Sequence, residues 1–310
     1  MRGLNGALIL WLGIACLCAR AQSAPGEFTP KLNQAGKDVV WVPTPSSLVE
    51  KMLDMAAVGP DDYLIDLGSG DGRIVIAAAK RGARALGIEL DPDLVELSKR
   101  IAEREGVGAK TRFVKADIFE SDFSPATVVT IYLLPQLNYR LRPKILALKP
   151  GTRIVSNSFY MSEWKADDTG KVVSIKSFIA PALRRIRNFL PDSVLDYFTD
   201  YCTFYCTAYL WIVPAKVAGE WRWPQGELTL TQKFQTLEGV LKTGQGATAI
   251  ANGRLRGAEI AFSAGAADYR GRVSGAAIEG SVIAGGTSAR WSAALSAGGP
   301  ARAPEAPVNR

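Results

Sequence analysis

Leu64-Ile-Asp-Leu-Gly-Ser-Gly-Asp-Gly-Arg-Ile-Val-Ile-Ala-Ala-Ala79 carries the pattern from which the rest of the chain is read. The apolar run at 63–66 reads as a short buried strand, the alternating Gly68, Gly70 and Gly72 as a tight loop, and 73–81 as a helix that Gly82 ends. An open α/β sheet binds its ligands at such a place, outside the carboxyl end of a strand and before the next helix. Glycines there let the backbone approach closely and adopt positive φ. A dinucleotide site would want Gly-x-Gly-x-x-Gly and a pyrophosphate on the helix N-terminus. Here Asp66 and Asp71 flank the loop. Two carboxylates would repel a pyrophosphate and favour a ligand with a cationic amino-acid end.

Outward from the loop, strand signals alternate with helix signals. A helix is expected over 46–56, capped by Ser46 or Ser47 and stopped by Gly59-Pro60. Strands follow at 85–89, 111–114, 128–134 and 153–156, with helices at 93–105, closed by Gly106, and 140–148, and an aromatic-rich late strand at 205–213. The strands are apolar runs rather than in-out alternations, which calls for a Rossmann-like, doubly wound α/β sheet covered on both faces, here over residues 42–215. Glu89 closes the second strand, where a carboxylate can accept both hydroxyls of a ribose, and Asp117 follows the third, where one can accept an adenine amino group. Separately these read as a surface ion pair and a helix cap, and 68–72 as a plain turn. In order on successive strands they read as one nucleoside site.

After Pro214 the texture changes to short alternating segments separated by glycines. Gly253-Arg-Leu-Arg-Gly-Ala-Glu-Ile260 recurs as Gly271-Arg-Val-Ser-Gly-Ala-Ala-Ile278, an offset that suits one strand pair of a meander. A smaller all-β meander domain of six to eight strands is expected over 216–296, with a disordered Ala/Gly/Pro tail at 297–310. Residues 22–41 read as a linker, 166–200 as an insert before the last strands, and 213–219 as a junction open to proteases.

The 310-residue chain contains no histidine, which excludes a His base, a His-activated nucleophile and most zinc sites; no metal site is expected. Net charge is +7 and spread along the chain, which does not argue for nucleic acid as a partner. Arg2, the apolar run from Ala7 to Cys18 and Ala19-Arg20-Ala21 have the layout of a secretory signal peptide, 1–21. Export to the periplasm or envelope is expected, membrane anchoring if the segment stays uncleaved, with a cytoplasmic protein as the alternative. Beyond the leader only Cys202 and Cys206 remain; buried small residues are the first reading, a disulfide the second. Leu183, Ile186 and Leu190 repeat at helical spacing opposite Arg184, Arg185 and Arg187, so 181–191 reads as a basic amphipathic helix: a solvated lid, or a peripheral contact with an anionic membrane or an acidic protein.

The glycine loop and its carboxylates resemble those of the class I, seven-strand methyltransferase superfamily, and that resemblance implies S-adenosyl-L-methionine (SAM) as cofactor. Val42-Pro-Thr-Pro45, 64–79 and Ile131-Tyr-Leu-Leu-Pro135 look like the small protein-lysine methyltransferase family of mitochondrial carriers and the ATP synthase c-subunit, with its bacterial relatives, over about residues 40–165. The resemblance implies cofactor contacts at Pro43, Thr44, Asp66, Gly68, Ser69, Gly70, Gly72, Glu89, Asp117 and Ile118. It places Tyr132 and Pro135 beside the transferred methyl, positioning the acceptor. A SAM-dependent methyltransferase is the expectation; the resemblance offers a protein lysine as one acceptor and fixes no substrate specificity. Such chemistry needs an in-line nucleophile and exclusion of water more than acid–base groups, so a histidine-free site is no obstacle. Tyr132 reads either as an orienter of the acceptor or as core packing, and Trp164 either as a wall of the acceptor pocket or as cover for the sheet edge. Two rival readings are a non-catalytic SAM-binding scaffold and an envelope-binding module carried by the β domain.

Overall fold

A computed structural model of the chain describes residues 28, 30, 41–172 and 206–296. The expected leader, nearly all of the linker, most of the insert with its helix at 181–191, and the tail lie outside the described residues.

The first unit is one seven-stranded sheet. In chain order its elements are α1 (Ser46–Met55), β1 (Tyr63–Leu67), α2 (Arg73–Lys80), β2 (Arg84–Glu89), α3 (Pro92–Arg104), β3 (Thr111–Lys115), β4 (Val128–Ile131), α4 (Pro135–Ile145), β5 (Arg153–Asn157), β6 (Asp168–Lys171) and β7 (Thr207–Ile212). The sheet order is β3-β2-β1-β4-β5-β7-β6, with β1 to β5 parallel and β7 antiparallel to both β5 and β6. Successive residues of the central strands point to opposite faces and both faces are apolar, which is why the strands read as continuous runs. Leu64, Val128, Val155 and Leu210 join one core with Leu48, Met52, Val75 and Val95 of α1 to α3. Ile65, Val129, Ile154 and Trp211 join the other with Leu141 and Ile145 of α4 and with Trp164.

Five local expectations need correction. The cap of α1 is Pro45 with no side-chain bond, rather than Ser46 or Ser47. The fourth strand ends at Ile131, not 134, and α4 starts at Pro135, five residues before the expected 140. The proline is the cause: it suits the first helical turn, and it holds Leu134 in extended backbone just before it. Residues 168–171, read as insert, form edge strand β6. Cys206, for which a buried small residue is the first reading, is disulfide-bonded.

The second unit is a closed eight-stranded antiparallel barrel: β8 (Gly219–Trp223), β9 (Gly226–Lys233), β10 (Thr236–Thr243), β11 (Gly246–Arg256), β12 (Glu259–Ala264), β13 (Ala267–Ser274), β14 (Ala277–Ala284) and β15 (Thr287–Leu295). Closure comes from Ala294 and Leu295 of β15 pairing with Arg222 and Trp221 of β8. A closed meander leaves no free edge. The internal repeat maps onto two hairpin turns, β11 to β12 and β13 to β14. Trp221, Leu228, Leu255, Ile260 and Ile278 fill the interior, and Phe262, Tyr269 and Trp291 pack ring on ring beside them.

The expected open junction is packed. Val213, Ala215 and Val217 are buried, Ala215 donates its N–H to the Gly257 carbonyl at 2.8 Å, and Gly151 donates to the Val213 carbonyl at 2.8 Å.

Candidate functional site

Three glycines with positive φ, Gly68 (83°), Gly70 (54°) and Gly72 (78°), turn the chain from β1 into α2. The reason for glycine is partly internal. A Cβ on Gly70 would stand 2.9 Å from Nε1 of Trp41, and one on Gly72 would stand 2.7 Å from the Phe113 ring. Gly87 of β2, which the sequence did not single out, keeps 2.5 Å clear for the Ser69 hydroxyl. The loop is thus shaped by its neighbours as much as by a ligand.

Around it the strand ends gather the expected carboxylates. Asp66 is buried and accepts from Thr130 Oγ1 at 2.7 Å. Burial, with smaller contributions from Glu89 and Asp71, raises its pKa to about 7, and no cation pairs with it among the described residues. Glu89 Oε2 accepts the Gly70 N–H at 2.8 Å, and its Oε1 accepts those of Leu90 and Asp91 at 2.7 and 3.0 Å. A carboxylate offers about four acceptor directions, so three of them are already used and about one remains, on Oε2. Asp117 is exposed and accepts the Phe119 N–H at 2.7 Å through Oδ1, with Ile118 half-buried beside it.

The segment 43–45 is bolted to this loop. Arg73 donates to the Thr44 carbonyl at 2.8 Å while its guanidinium forks onto Asp71, and Asn157 at the end of β5 donates to Thr44 Oγ1 at 3.1 Å. Arg73, Asn157 and Trp41 were not among the expected site residues. Arg73 follows the loop directly and pairs locally with Asp71, but its hold on Thr44, like the contacts of Trp41 and Asn157, joins residues far apart in sequence, which no spacing rule predicts. One buried group here has no partner among the described residues, Ser69 Oγ. A backbone cradle, an orphaned hydroxyl and a buried carboxylate without a cation fit a ligand bearing an amino-acid end and a ribose.

Tyr132 lies just beyond β4, half-buried, with Phe159 stacked on it at 6.1 Å and 23°. Leu133 is buried and its Cδ2 stands 3.2 Å from the Cβ position of Gly68, so the residue that follows Tyr132 borders the glycine loop. Pro135 opens α4 and is exposed. Three of the exposed large apolar side chains, Leu134, Tyr139 and Tyr160, belong to the segments that follow β4 and β5. Asn138 of α4 is fully buried there with neither side-chain atom bonded. Trp164 is fully buried between Trp211 of β7, next to edge strand β6, and Phe234 of the barrel, which fits the reading as cover for the sheet edge.

Residues 66–168 match the model of the ANTKMT methyltransferase domain. A protein-lysine N-methyltransferase of Saccharolobus islandicus is 43% identical over 137 residues, which span 43% of this chain and 85% of that protein. The adenine nucleotide translocase lysine N-methyltransferase of Mus musculus is 36% identical over 129 residues, covering 41% of this chain and 56% of its own length. A crystal structure described as an RNA methyltransferase from Salinibacter ruber in complex with S-adenosyl-L-homocysteine is 40% identical; the match covers 57% of this chain and 96% of that one, with a TM-score of 0.45. The family match ends before the barrel, and it contains the glycine loop, both strand-end carboxylates and Tyr132. The chain belongs to the ANTKMT methyltransferase family and is a SAM-dependent methyltransferase.

Proposed function

We propose that the chain transfers a methyl group from SAM to the ε-amino group of a lysine in a protein. The observation that carries this reading is the stacked pair Tyr132 and Phe159 in the segments after β4 and β5, where Leu133 meets the glycine loop and Leu134, Tyr139 and Tyr160 are exposed. Aromatic faces suit both the aliphatic stem and the cationic head of a lysine side chain. The names of the archaeal and mouse relatives support the same acceptor.

SAM supplies an electrophilic methyl on a sulfonium. In this reading the side chains position groups and keep water out. Asp66 holds the amino group of the cofactor, with the backbone of Gly68, Ser69, Gly70 and Gly72 around its amino-acid end. Glu89 accepts a ribose hydroxyl, Asp117 and Ile118 meet the adenine, and Pro43 and Thr44 close the site from the N-terminal side. Tyr132 orients the incoming amine and Pro135 shapes the turn that carries it. The scaffold and binding-module alternatives are not favoured, since the family is enzymatic.

Mass spectrometry of the host proteome with and without this protein tests the acceptor. Lysine methyl groups that vanish in its absence support the proposal. Labelled methyl from SAM appearing in RNA and in no protein would overturn it.

We also propose that the mature protein is exported and begins at Gln22 or shortly after. The leader-like segment 1–21 supports this. N-terminal sequencing of native material checks it; a soluble cytosolic species starting at Met1 refutes it.

A further inference from the structure

Seven two-residue turns join the barrel strands, and five of them open on glycine, at 244, 257, 265, 275 and 285. The turn between β9 and β10 does not. It places Phe234 at φ 56°, a conformation that a bulky side chain rarely adopts and keeps only where its surroundings hold it.

Those surroundings are the segment after β5. The Phe234 ring stacks on Trp164 at 5.8 Å and 14°, and the Arg142 guanidinium stands 5.3 Å from its centre. Gln235 is buried and donates through Nε2 to the Lys165 carbonyl at 2.7 Å. Arg254 of β11 donates to Asp167 Oδ1 at 2.8 Å, while Asp167 Oδ2 accepts the Ile212 N–H of β7 at 2.9 Å. Three barrel residues thus grip three residues of segment 158–167.

The other end of the segment reaches the acceptor side. Trp164 donates its backbone N–H to the carbonyl of buried Met161 at 3.1 Å, Arg142 of α4 donates to the same carbonyl at 3.3 Å, and Phe159 stacks on Tyr132. Ser158 and Ser162 both have positive φ, 63° and 53°, so the segment holds a shape that its own residue types do not favour.

We propose that the barrel positions the acceptor side of the enzyme: Phe234, Gln235 and Arg254 hold 158–167 in the shape that sets Phe159 against Tyr132. They are positioning residues and touch no reacting group. The inference rests on reading Tyr132 as the wall of the acceptor site. A barrel that merely covers the apolar sheet face would leave acceptor kinetics alone when this turn is altered.

The test uses the full chain as wild type, Phe234→Ala, Phe234→Tyr and Gln235→Ala, followed by hydrogen exchange, calorimetric titration with SAM, and methyl transfer to a pool of synthetic lysine-containing peptides. In Phe234→Ala, amides of 158–167 should exchange about tenfold faster, with barrel amides still protected and the SAM Kd within about twofold of wild type. The KM for peptide should rise about tenfold with kcat within about twofold, and Phe234→Tyr should restore both. Unchanged exchange in 158–167, or faster exchange with unchanged KM, overturns the inference. If Phe234→Ala also loses barrel protection, Gln235→Ala, which removes one hydrogen bond, carries the comparison. If wild type methylates no peptide, the lysine acceptor is wrong, and the exchange comparison still decides whether the barrel holds the segment.

Discussion

At the scale of single residues the end of β1 beside the glycine loop is a problem of charge. Asp66 sits in a buried place where its carboxylate loses hydration, and its pKa rises to about 7. Because the folded pKa lies above the unfolded one, the charged form destabilises the ligand-free protein; the penalty is full above about pH 7 and gone below about pH 4. A cationic ligand group reverses the balance by favouring the charged carboxylate. SAM affinity measured by calorimetry is therefore expected to weaken as pH falls below 7, by up to about tenfold per unit, and Asp66→Asn should bind weakly with a flat profile. The same substitution should raise the thermal midpoint of ligand-free protein at pH 8 and leave it unchanged at pH 4. Glu89 is a different case, since it already serves three backbone N–H groups. Glu89→Ala is expected to raise the SAM Kd about tenfold to a hundredfold, the worth of a charge-assisted bond of about 1.5–3 kcal/mol. Unaltered binding in that variant would remove Glu89 from the site.

At the scale of elements, close packing around β1 and β2 explains glycines that a ligand does not. On Gly87 a Cβ would meet Ser69 Oγ at 2.5 Å and the Phe113 ring at 2.7 Å. Gly87→Ala must push the loop or β3 aside, at an expected cost of about 1–3 kcal/mol in chemical denaturation, together with weaker SAM binding because Ser69 moves. Denaturation curves that superpose on wild type would show that β2 has slack where none is visible. The alternation of strand and helix was legible here because apolar strand runs and glycine stops are local signals. The start of α4 was not, since Pro135 ends one element and begins the next, and the sequence around it favours neither reading. Edge strand β6 was also hidden: Asp168-Thr-Gly-Lys171 has no apolar pattern and is a strand only through pairing with β7.

At the scale of the whole molecule the barrel is docked rather than tethered. Trp164, fully buried, joins Trp211 of the sheet to Phe234 of the barrel, and the junction residues Val213, Ala215 and Val217 are buried as well. Calorimetric unfolding is expected to show sheet and barrel melting together, and trypsin under native conditions should spare the bond after Lys216. A chain truncated at 215 exposes Trp164 and Trp211, and its thermal midpoint should fall; an unchanged midpoint would show that the two units are independent. By itself the sequence determined a doubly wound α/β unit with a glycine loop after its first strand, carboxylates at the ends of β2 and β3, and a β-rich second unit, while its resemblance to the seven-strand methyltransferases supplied the class and the cofactor. The elements rest on short-range patterns: glycine punctuation, apolar runs and spacing along successive strands. Tertiary structure alone decided that the meander closes into a barrel, that Trp41, Arg73 and Asn157 brace the glycine loop, and that Phe234 reaches Trp164. Each of those depends on residues tens of positions apart meeting through packing, and no local pattern encodes which distant side chain fills the space a glycine leaves or a turn presents.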